Sequence, residues 1–168
     1  MKPALLVIDI QKDFFSISPE CARSLNDAIE NINPVLKFFR SKELPIICIQ
    51  HMEPDENLLP GQEKFDLPES LEIIPSDIRI HKTYRNSFNK TPLAEILAEK
   101  GVDTVFITGF CAEYCVLSTY RGALDLDLTP VLLKNGIASV NQDNLQMVEN
   151  ISNIISYGVL KKMLEQSE

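Results

Sequence analysis

The stretch VFITGFCAEYCVLSTYRGALD, Val105–Asp125, joins the end of a strand pattern to the start of a helix pattern. Its apolar run ends at Gly109, and Cys115 begins a segment that is predicted to be a helix. A strand followed closely by a helix is the repeating unit of α/β folds with a parallel sheet. The junction also carries two cysteines, Cys111 and Cys115, so the same stretch raises the question of function.

The alternation of strand and helix patterns runs through the whole chain. Five apolar runs are predicted to be buried strands, and they occupy residues 4–10, 44–50, 77–82, 102–109 and 129–134. Helices are predicted over residues 22–43, 91–101 and 115–126, and within 141–156. These patterns predict an α/β fold in which helices cover both faces of a parallel sheet, in a single domain that spans residues 1–168.

Two features interrupt the regular pattern. Pro34 lies inside the first predicted helix and is expected to start or kink its later part. Residues 51–76 contain four prolines and no clear period, so they are predicted to form a long loop. Loops of that length in compact domains tend to be functional, and substrate specificity is expected to come from Glu53–Glu72 within it.

Composition and charge restrict the classes of partner and location. The net charge of -8 disfavours nucleic acid or an anionic membrane as the partner. The first apolar run is short and contains Asp9, so no signal peptide is expected, and no run approaches the ~20 apolar residues of a membrane span. Four cysteines without a secretion signal favour a reducing compartment. The sequence therefore predicts a cytoplasmic protein that acts on a small molecule.

Three reactive side chains lie where predicted strands end. Asp9 closes the first strand, Lys82 closes the third, and Cys115 follows the fourth after a short loop. Ligands of open parallel sheets bind beyond the carboxyl ends of the strands. An acid, a base and a thiol from distant parts of the chain are therefore expected to meet at one edge of the sheet.

Cys115 is the predicted nucleophile of this group. Near a helix N-terminus, free N–H groups and the helix dipole favour the thiolate, which is the reactive form. Asp9 can accept the thiol proton and later pass it to a leaving group, while Lys82 can hold Asp9 ionised. Backbone N–H groups of the loop FCAEYC can bind an oxyanion. This combination suits acyl transfer to sulfur followed by hydrolysis.

The same residues allow other interpretations. Free cysteine is among the most buried residue types, so Cys21 and Cys48 are assigned to packing. Cys111 and Cys115 could form a redox pair, although their spacing is C-x3-C and not the C-x2-C of thiol oxidoreductases. Asp9, at the end of a strand, could simply cap a neighbouring helix or turn.

The two histidines of the chain, His51 and His81, are too few for a typical zinc site. His81 precedes Lys82 on a predicted strand, so side-chain alternation sends it to the opposite face, where a structural role is expected. No metal ion and no cofactor is therefore predicted.

Three segments, LLVIDIQKDFF, HKTYRNSF and TGFCAEYCVLSTYRGALD, resemble the signature segments of the isochorismatase-like cysteine hydrolases. This superfamily includes nicotinamidases and N-carbamoylsarcosine amidase. The resemblance implies a Rossmann-like, three-layer α/β/α fold with a six-stranded parallel sheet in the order 3-2-1-4-5-6. It also implies an Asp–Lys–Cys catalytic triad, here Asp9, Lys82 and Cys115, and a dimeric or tetrameric homo-oligomer.

The resemblance extends to residues around the nucleophile. A non-proline cis peptide of the family would join Phe110 to Cys111, and the backbone amides of Cys111 and Cys115 would form the oxyanion hole. The Cys111 side chain is then expected to have a packing or positioning role. Three further side chains match positions that shape or line the family's pocket: Gln11, Phe14 and Phe88.

Two departures from the family narrow the expected activity. Nicotinamidases follow the second strand with a D-x-H segment and a later histidine that bind a metal, whereas this chain has QHMEPDE there. True isochorismatases cleave a vinyl ether and characteristically lack the cysteine, whereas Cys115 is present. The sequence therefore predicts a metal-independent cysteine amidohydrolase that cleaves a small-molecule amide through a thioester.

Three alternative functions stay open on the sequence alone. The first is a catalytically silent binding or regulatory protein on the same fold, against which the complete triad argues. The second is an isochorismatase-type ether hydrolase. The third is a thiol redox protein, which reversible formation of a Cys111–Cys115 disulfide would support.

Overall fold

The computed structural model describes residues 1–166 and contains a six-stranded sheet. Its strands are β1 (Pro3–Ile8), β2 (Ile46–His51), β3 (Ile78–Lys82), β4 (Thr104–Gly109), β5 (Thr129–Ile137) and β6 (Ile154–Ile155). The strand order is β3-β2-β1-β4-β5-β6, and every neighbouring pair is parallel. The predicted α/β class, parallel sheet and strand order are confirmed.

The helices of the described residues are α1 (Pro19–Ser41), α2 (Leu93–Glu99), α3 (Leu117–Asp125), α4 (Gln142–Asn150) and α5 (Tyr157–Glu165). Short 3-10 helices lie at Lys12–Ser16, Pro54–Glu56 and Glu63–Phe65, and a π-helix, Ala112–Val116, leads into α3. Within residues 1–166, none of the helices combines the length and apolar character needed to cross a bilayer.

Side chains of β1 alternate between two apolar cores. Leu5 and Val7 face the layer of α1 and α5, whereas Leu6 and Ile8 face the layer of α2, α3 and α4. Because helices cover both faces, the whole strand is buried, and each large apolar side chain contributes roughly 1.5–3 kcal/mol to stability. The observed layers are the expected α/β/α arrangement, with β1 and β4 at the centre of the sheet.

The C-terminal part of the chain contains a strand and a helix that the residue pattern does not predict. The helix predicted within 141–156 is α4, and it ends at Asn150. β6 then adds two residues to the sheet edge, where they pair with Leu132 and Leu133 of β5. A two-residue strand is too short to show an alternation of apolar and polar residues, so only the family resemblance predicts a sixth strand.

Helix α1 runs without interruption through Pro34, which therefore does not start a second helix. Pro34 removes the N–H that would bond to the carbonyl of Glu30, but both residues are exposed, so water can reach that carbonyl. Buried side chains on both sides of the proline, among them Ile32 and Leu36, hold the helix against the sheet. Tertiary packing thus outweighs the local preference of proline for a helix start.

The predicted long loop connects β2 to β3 and is anchored near its middle. The Phe65 ring is buried and meets the His81 ring edge-on, with ring centroids 5.1 Å apart. The Phe65 carbonyl accepts a hydrogen bond from Gln50 Nε2 at 2.9 Å, and the Asp66 carbonyl accepts one from the Lys12 N–H at 2.9 Å. His81 therefore packs against the loop, as expected for a structural residue.

Candidate active site

The parallel sheet brings three reactive side chains to one edge. Ile8, the last residue of β1, pairs with Gly109 of β4, so Asp9 and the loop before Cys115 leave the sheet at the same level. Lys82 is the last residue of β3 and reaches the same point from the other side of β2. The structure thus brings Asp9, Lys82 and Cys115 into contact.

Asp9 turns sharply out of β1. Its φ of 52° is left-handed, a conformation that costs most residues roughly 1–2 kcal/mol and that aspartate adopts more readily than most. Its N–H still donates to the Ile49 carbonyl of β2 at 2.8 Å. The carboxylate is buried, and Oδ1 has no hydrogen-bond partner among the described residues. A buried carboxylate oxygen is therefore free to accept a proton in the site.

The Lys82 ammonium links the members of the site. Its Nζ lies 2.7 Å from Asp9 Oδ2, 3.3 Å from Cys115 Sγ and 3.2 Å from His51 Nδ1. The side chain is 0% exposed, and an ammonium carries three hydrogens, so each contact accounts for one of them. A buried ion pair requires this kind of complete hydrogen bonding to offset the loss of water.

The loop that carries Cys115 has a special backbone. At Gly109 φ is 114°, and an added Cβ would lie 2.0 Å from the Ile8 carbonyl oxygen, so only glycine fits. The peptide bond between the next two residues, Phe110 and Cys111, is cis, as the resemblance implies. Cys115 then lies on the π-helix, an element that is frequent at functional sites, and it is the one cysteine of the four that is not buried.

Burial and the negative charge of Asp9 raise the pKa of the Cys115 thiol to about 12, although the Lys82 charge opposes this shift. The prediction that a helix N-terminus favours the thiolate is therefore wrong for the resting site. The loop buries most of the sulfur beside a carboxylate, and both factors favour the neutral thiol. A neutral thiol needs a base within reach before it can act as a nucleophile, and a carboxylate oxygen of Asp9 lies within 4.8 Å of Cys115 Sγ.

A network of hydrogen bonds holds the Cys111 side chain in the loop that leads to Cys115. Its thiol donates to Glu113 Oε2 at 3.0 Å, and Ser139 Oγ donates to the same oxygen at 2.7 Å. Asn144 Nδ2 donates to Glu113 Oε1 at 2.8 Å. Burial and the Glu113 hydrogen bond raise the pKa of the Cys111 thiol to about 12. The hydrogen bond to Glu113 therefore holds the Cys111 side chain in place, and its burial and raised pKa are not those of a reactive thiol.

The backbone of this loop can still serve as a donor. Among residues 1–166 the Cys111 N–H has no hydrogen-bond partner, whereas its carbonyl accepts from Tyr114 and Val116. A free N–H four residues before Cys115 is compatible with the predicted oxyanion hole, the amides of Cys111 and Cys115.

His51 belongs to the site, although sequence reasoning assigns it no role there. It ends β2 level with Lys82, and its Nε2 lies 3.7 Å from Glu53 Oε2. Gln11 holds its backbone, because Gln11 Oε1 accepts from the His51 N–H at 2.7 Å and Nε2 donates to the His51 carbonyl at 3.0 Å. Gln11 is fully buried and fixes the backbone of His51 beside the cluster. The signal in the sequence is the position of His51 directly after a predicted strand.

The other predicted residues pack around the site. The ring centroids of Phe14 and Phe110 lie 5.0 Å apart. Phe110 forms the cis peptide with Cys111, so Phe14 packs against the loop that leads to Cys115. Phe88 packs against the apolar cluster that Cys115 also contacts. The two cysteines assigned to packing, Cys21 and Cys48, are buried.

Known proteins similar to this chain match most of its length. Residues 3–154 match the family model of the isochorismatase domain. The chain belongs to the isochorismatase family. It is 32% identical over 140 residues to YrdC, an uncharacterised isochorismatase family protein of Bacillus subtilis, and the match covers 82% of this chain and 74% of YrdC. The resemblance of the three sequence segments is thereby confirmed.

Two further proteins similar to this chain are informative. Ureidoacrylate amidohydrolase RutB of Caulobacter vibrioides is 30% identical over 86 residues, which are 51% of this chain and 38% of RutB. The crystal structure of an isochorismatase-like hydrolase from Alkaliphilus metalliredigens has a TM-score of 0.88 at 23% identity, covering 98% of this chain and 99% of that one. The latter comparison shows that the fold is shared over the whole described chain.

The donor atoms of the site do not fit the metal centre that the resemblance associates with nicotinamidases. Asp9, His51 and Cys115 each offer one ligand atom, and these atoms lie within 4.8 Å of one another. The Lys82 ammonium contacts the same three residues at 2.7, 3.2 and 3.3 Å. A divalent cation bound to these three atoms would lie beside the positive charge of Lys82. It would also break the hydrogen bonds that Lys82 makes to the same residues.

Brief treatment of the native protein with iodoacetamide is expected to modify Cys115 well before the other three cysteines, because those are buried. Since the thiol pKa is raised to about 12, labelling should be slow near neutral pH and should still accelerate at pH ~10, where a free thiol of pKa ~8.5 is almost fully ionised. Peptide mass spectrometry over a pH series checks this. Equal labelling of all four cysteines, or a plateau below that pH, would contradict it.

Proposed function

We propose that the chain is a cysteine hydrolase that cleaves the C–N bond of a small-molecule amide through a thioester on Cys115. The observation that carries the proposal is the buried cluster in which Lys82 contacts both Asp9 and Cys115, while Asp9 Oδ1 has no hydrogen-bond partner among residues 1–166. Membership of the isochorismatase family supports hydrolysis, and the amidohydrolase RutB supports an amide as the bond cleaved.

The acylation half-reaction uses Asp9 first as a base and then as an acid. Asp9 Oδ1 accepts the thiol proton while Cys115 Sγ forms a bond to the amide carbon. The carbonyl oxygen becomes negative and is stabilised by the N–H groups of Cys111 and Cys115. When the C–N bond breaks, Asp9 returns the proton to the departing nitrogen, and ammonia or an amine leaves a thioester.

The deacylation half-reaction repeats the proton transfers with water as the nucleophile. Asp9 takes a proton from water, whose oxygen attacks the thioester carbon. The C–S bond then breaks, and the Cys115 sulfur recovers a proton from Asp9. Lys82 stays protonated throughout, because its role is to balance negative charge on Asp9, on sulfur or on both.

Release of ammonia from a panel of small carboxamides and ureides tests the proposal. The Cys115→Ala variant serves as the blank for each compound. At least one compound is expected to be hydrolysed by the native protein and not by the variant. The proposal is rejected if the two proteins release ammonia at the same rate from every compound that reacts, or if no compound in a broad panel reacts.

Two rival functions predict that no compound of the amide panel reacts, and a vinyl ether as an added substrate distinguishes them from each other. A silent binding protein would hydrolyse nothing, and a vinyl ether hydrolase would turn over its substrate without a thiol nucleophile. A redox function is disfavoured because the two thiols have separate partners: Cys111 donates to Glu113, whereas Cys115 contacts Lys82.

Homo-oligomerisation remains part of the proposal. A dimer or tetramer is expected from the family resemblance, and sedimentation velocity at micromolar concentration would measure it.

Substrate specificity is expected to come from Glu53–Glu72, which lies in the connection from β2 to β3 next to the cluster and begins two residues after His51.

Removal of metal ions is expected to leave the hydrolysis rate unchanged. Lys82 already supplies the positive charge among Asp9, His51 and Cys115, so catalysis does not require a cation there. The measurement is the rate with a hydrolysed compound before and after dialysis against EDTA. Loss of activity that zinc or iron restores would contradict this and would favour a nicotinamidase-like metal site.

A further inference from the structure

His51 is a titratable group that the two half-reactions leave unused. Its imidazole is half-buried, and its Nδ1 lies 3.2 Å from Lys82 Nζ. Both its backbone N–H and its carbonyl are bonded to the buried Gln11 amide, two residues after Asp9. The side chain of Gln11 therefore holds His51 at a fixed place relative to the proton-transfer residue.

The three contacts of the Lys82 ammonium indicate a role for the His51 imidazole. Nζ donates to Asp9 Oδ2 and to Cys115 Sγ, and His51 Nδ1 lies 3.2 Å away, where it can accept the third hydrogen if its own proton is on Nε2. Without that acceptor the buried ammonium could rotate or shift toward Asp9 alone. We propose that His51 is a positioning residue, whose Nδ1 accepts the third Lys82 hydrogen and keeps the ammonium directed at both the base and the nucleophile. Its effect on turnover rests on the hydrolase function proposed above.

This role requires a neutral imidazole with its proton on Nε2. Burial and the Lys82 charge lower the His51 pKa, whereas Asp9 and Glu53 oppose the shift. With Nδ1 accepting from Lys82, the Nε2–H faces Glu53 Oε2 at 3.7 Å. Protonation of Nδ1 would remove the acceptor and add a second positive charge beside Lys82. The function of His51 is therefore present above its lowered pKa and is lost as the pH falls through it.

Two substitutions separate positioning from simple packing. His51→Asn keeps a short side chain with an oxygen that can accept from Lys82 but cannot titrate. His51→Ala removes the acceptor. We expect His51→Ala to lower kcat by ~10-fold or more with little change in KM, the scale of losing one hydrogen bond to a charged group, and His51→Asn to restore most of it. His81→Asn, the matched control at the other histidine, should leave kcat unchanged.

The pH profile adds a readout that packing alone would not change. Native kcat should fall on the acid side as His51 protonates, and the same limb should move to lower pH in His51→Asn. Asp9, Glu53 and Cys115 also face this imidazole, and they are retained in the variant. A limb that stays in place in His51→Asn would assign the titration to one of them and overturn the inference.

Nitrogen-15 NMR of the two histidines tests the geometry without any substrate. The spectrum of native protein should show His51 as the Nε2–H tautomer, titrating below ~6.5, the ordinary histidine pKa. His51→Asn identifies the signal. An Nδ1–H tautomer, or an unchanged kcat in His51→Ala, would overturn the inference. Because the NMR result needs no turnover, failure of the proposed hydrolysis would be recognised separately.

Discussion

Replacement of Cys115 by alanine is expected to lower kcat for amide hydrolysis by at least ~10⁴-fold, the scale seen when a covalent nucleophile is removed. No other thiol can substitute, since Cys21, Cys48 and Cys111 are buried. The variant should fold normally, because Cys115 is only partly buried and the change removes one atom. The measurement is kcat from ammonia release with a compound identified in the panel.

A matched control is available in the same chain. Cys48→Ala makes the same chemical change inside the sheet, where the thiol is buried and has no place in the reaction. It should leave kcat per folded molecule within ~2-fold while lowering stability by about 1 kcal/mol. Residual activity above about one tenth of native in Cys115→Ala would contradict a sulfur nucleophile.

Asp9→Asn is expected to lower both turnover and stability. Loss of the proton-transfer group should reduce kcat by at least ~100-fold. In addition, the side chains of Lys82 and Asp9 are 0% and 2% exposed, so the variant leaves a buried ammonium without its counter-ion. Breaking a buried pair in this way costs roughly 3–5 kcal/mol.

The double variant Asp9→Asn/Lys82→Met separates the two effects. Removing both charges relieves the unpaired ammonium, so its free energy of unfolding in urea should lie well above that of Asp9→Asn alone. Its kcat should stay as low as that of the single variant. If Asp9→Asn were as stable as native protein, the pair would not be a buried ion pair. If it kept near-native kcat, another residue would have to transfer the proton.

That Asp9, Lys82 and Cys115 meet was predictable from the sequence because the strands of a parallel sheet end at the same edge. Asp9 and Lys82 lie at the ends of predicted strands, and Cys115 follows one after a short loop. Strand assignments, which depend on short, strongly apolar segments, are sufficient to predict which residues meet. How those residues interact depends on the positions of their side chains, which strand assignments do not give.

The chemistry between those residues depends on burial, which the sequence does not show. A helix N-terminus predicts a lowered thiol pKa, whereas the folded loop places Cys115 in a largely buried position beside Asp9, where its pKa is raised to about 12. His51 was missed for a related reason. Its contact with Lys82 depends on the register between β2 and β3, and an apolar pattern locates strands without fixing that register.

Peptide mass spectrometry of acid-quenched protein tests whether turnover proceeds through a thioester on Cys115. With a hydrolysed amide in excess, we expect the peptide containing Cys115 to gain the mass of the acyl group during turnover. Hydroxylamine should remove that mass, and it should be absent from the native protein without substrate. Steady hydrolysis with no acyl group on Cys115, even when quenched in the first turnover, or an acyl group on another residue, would contradict the account.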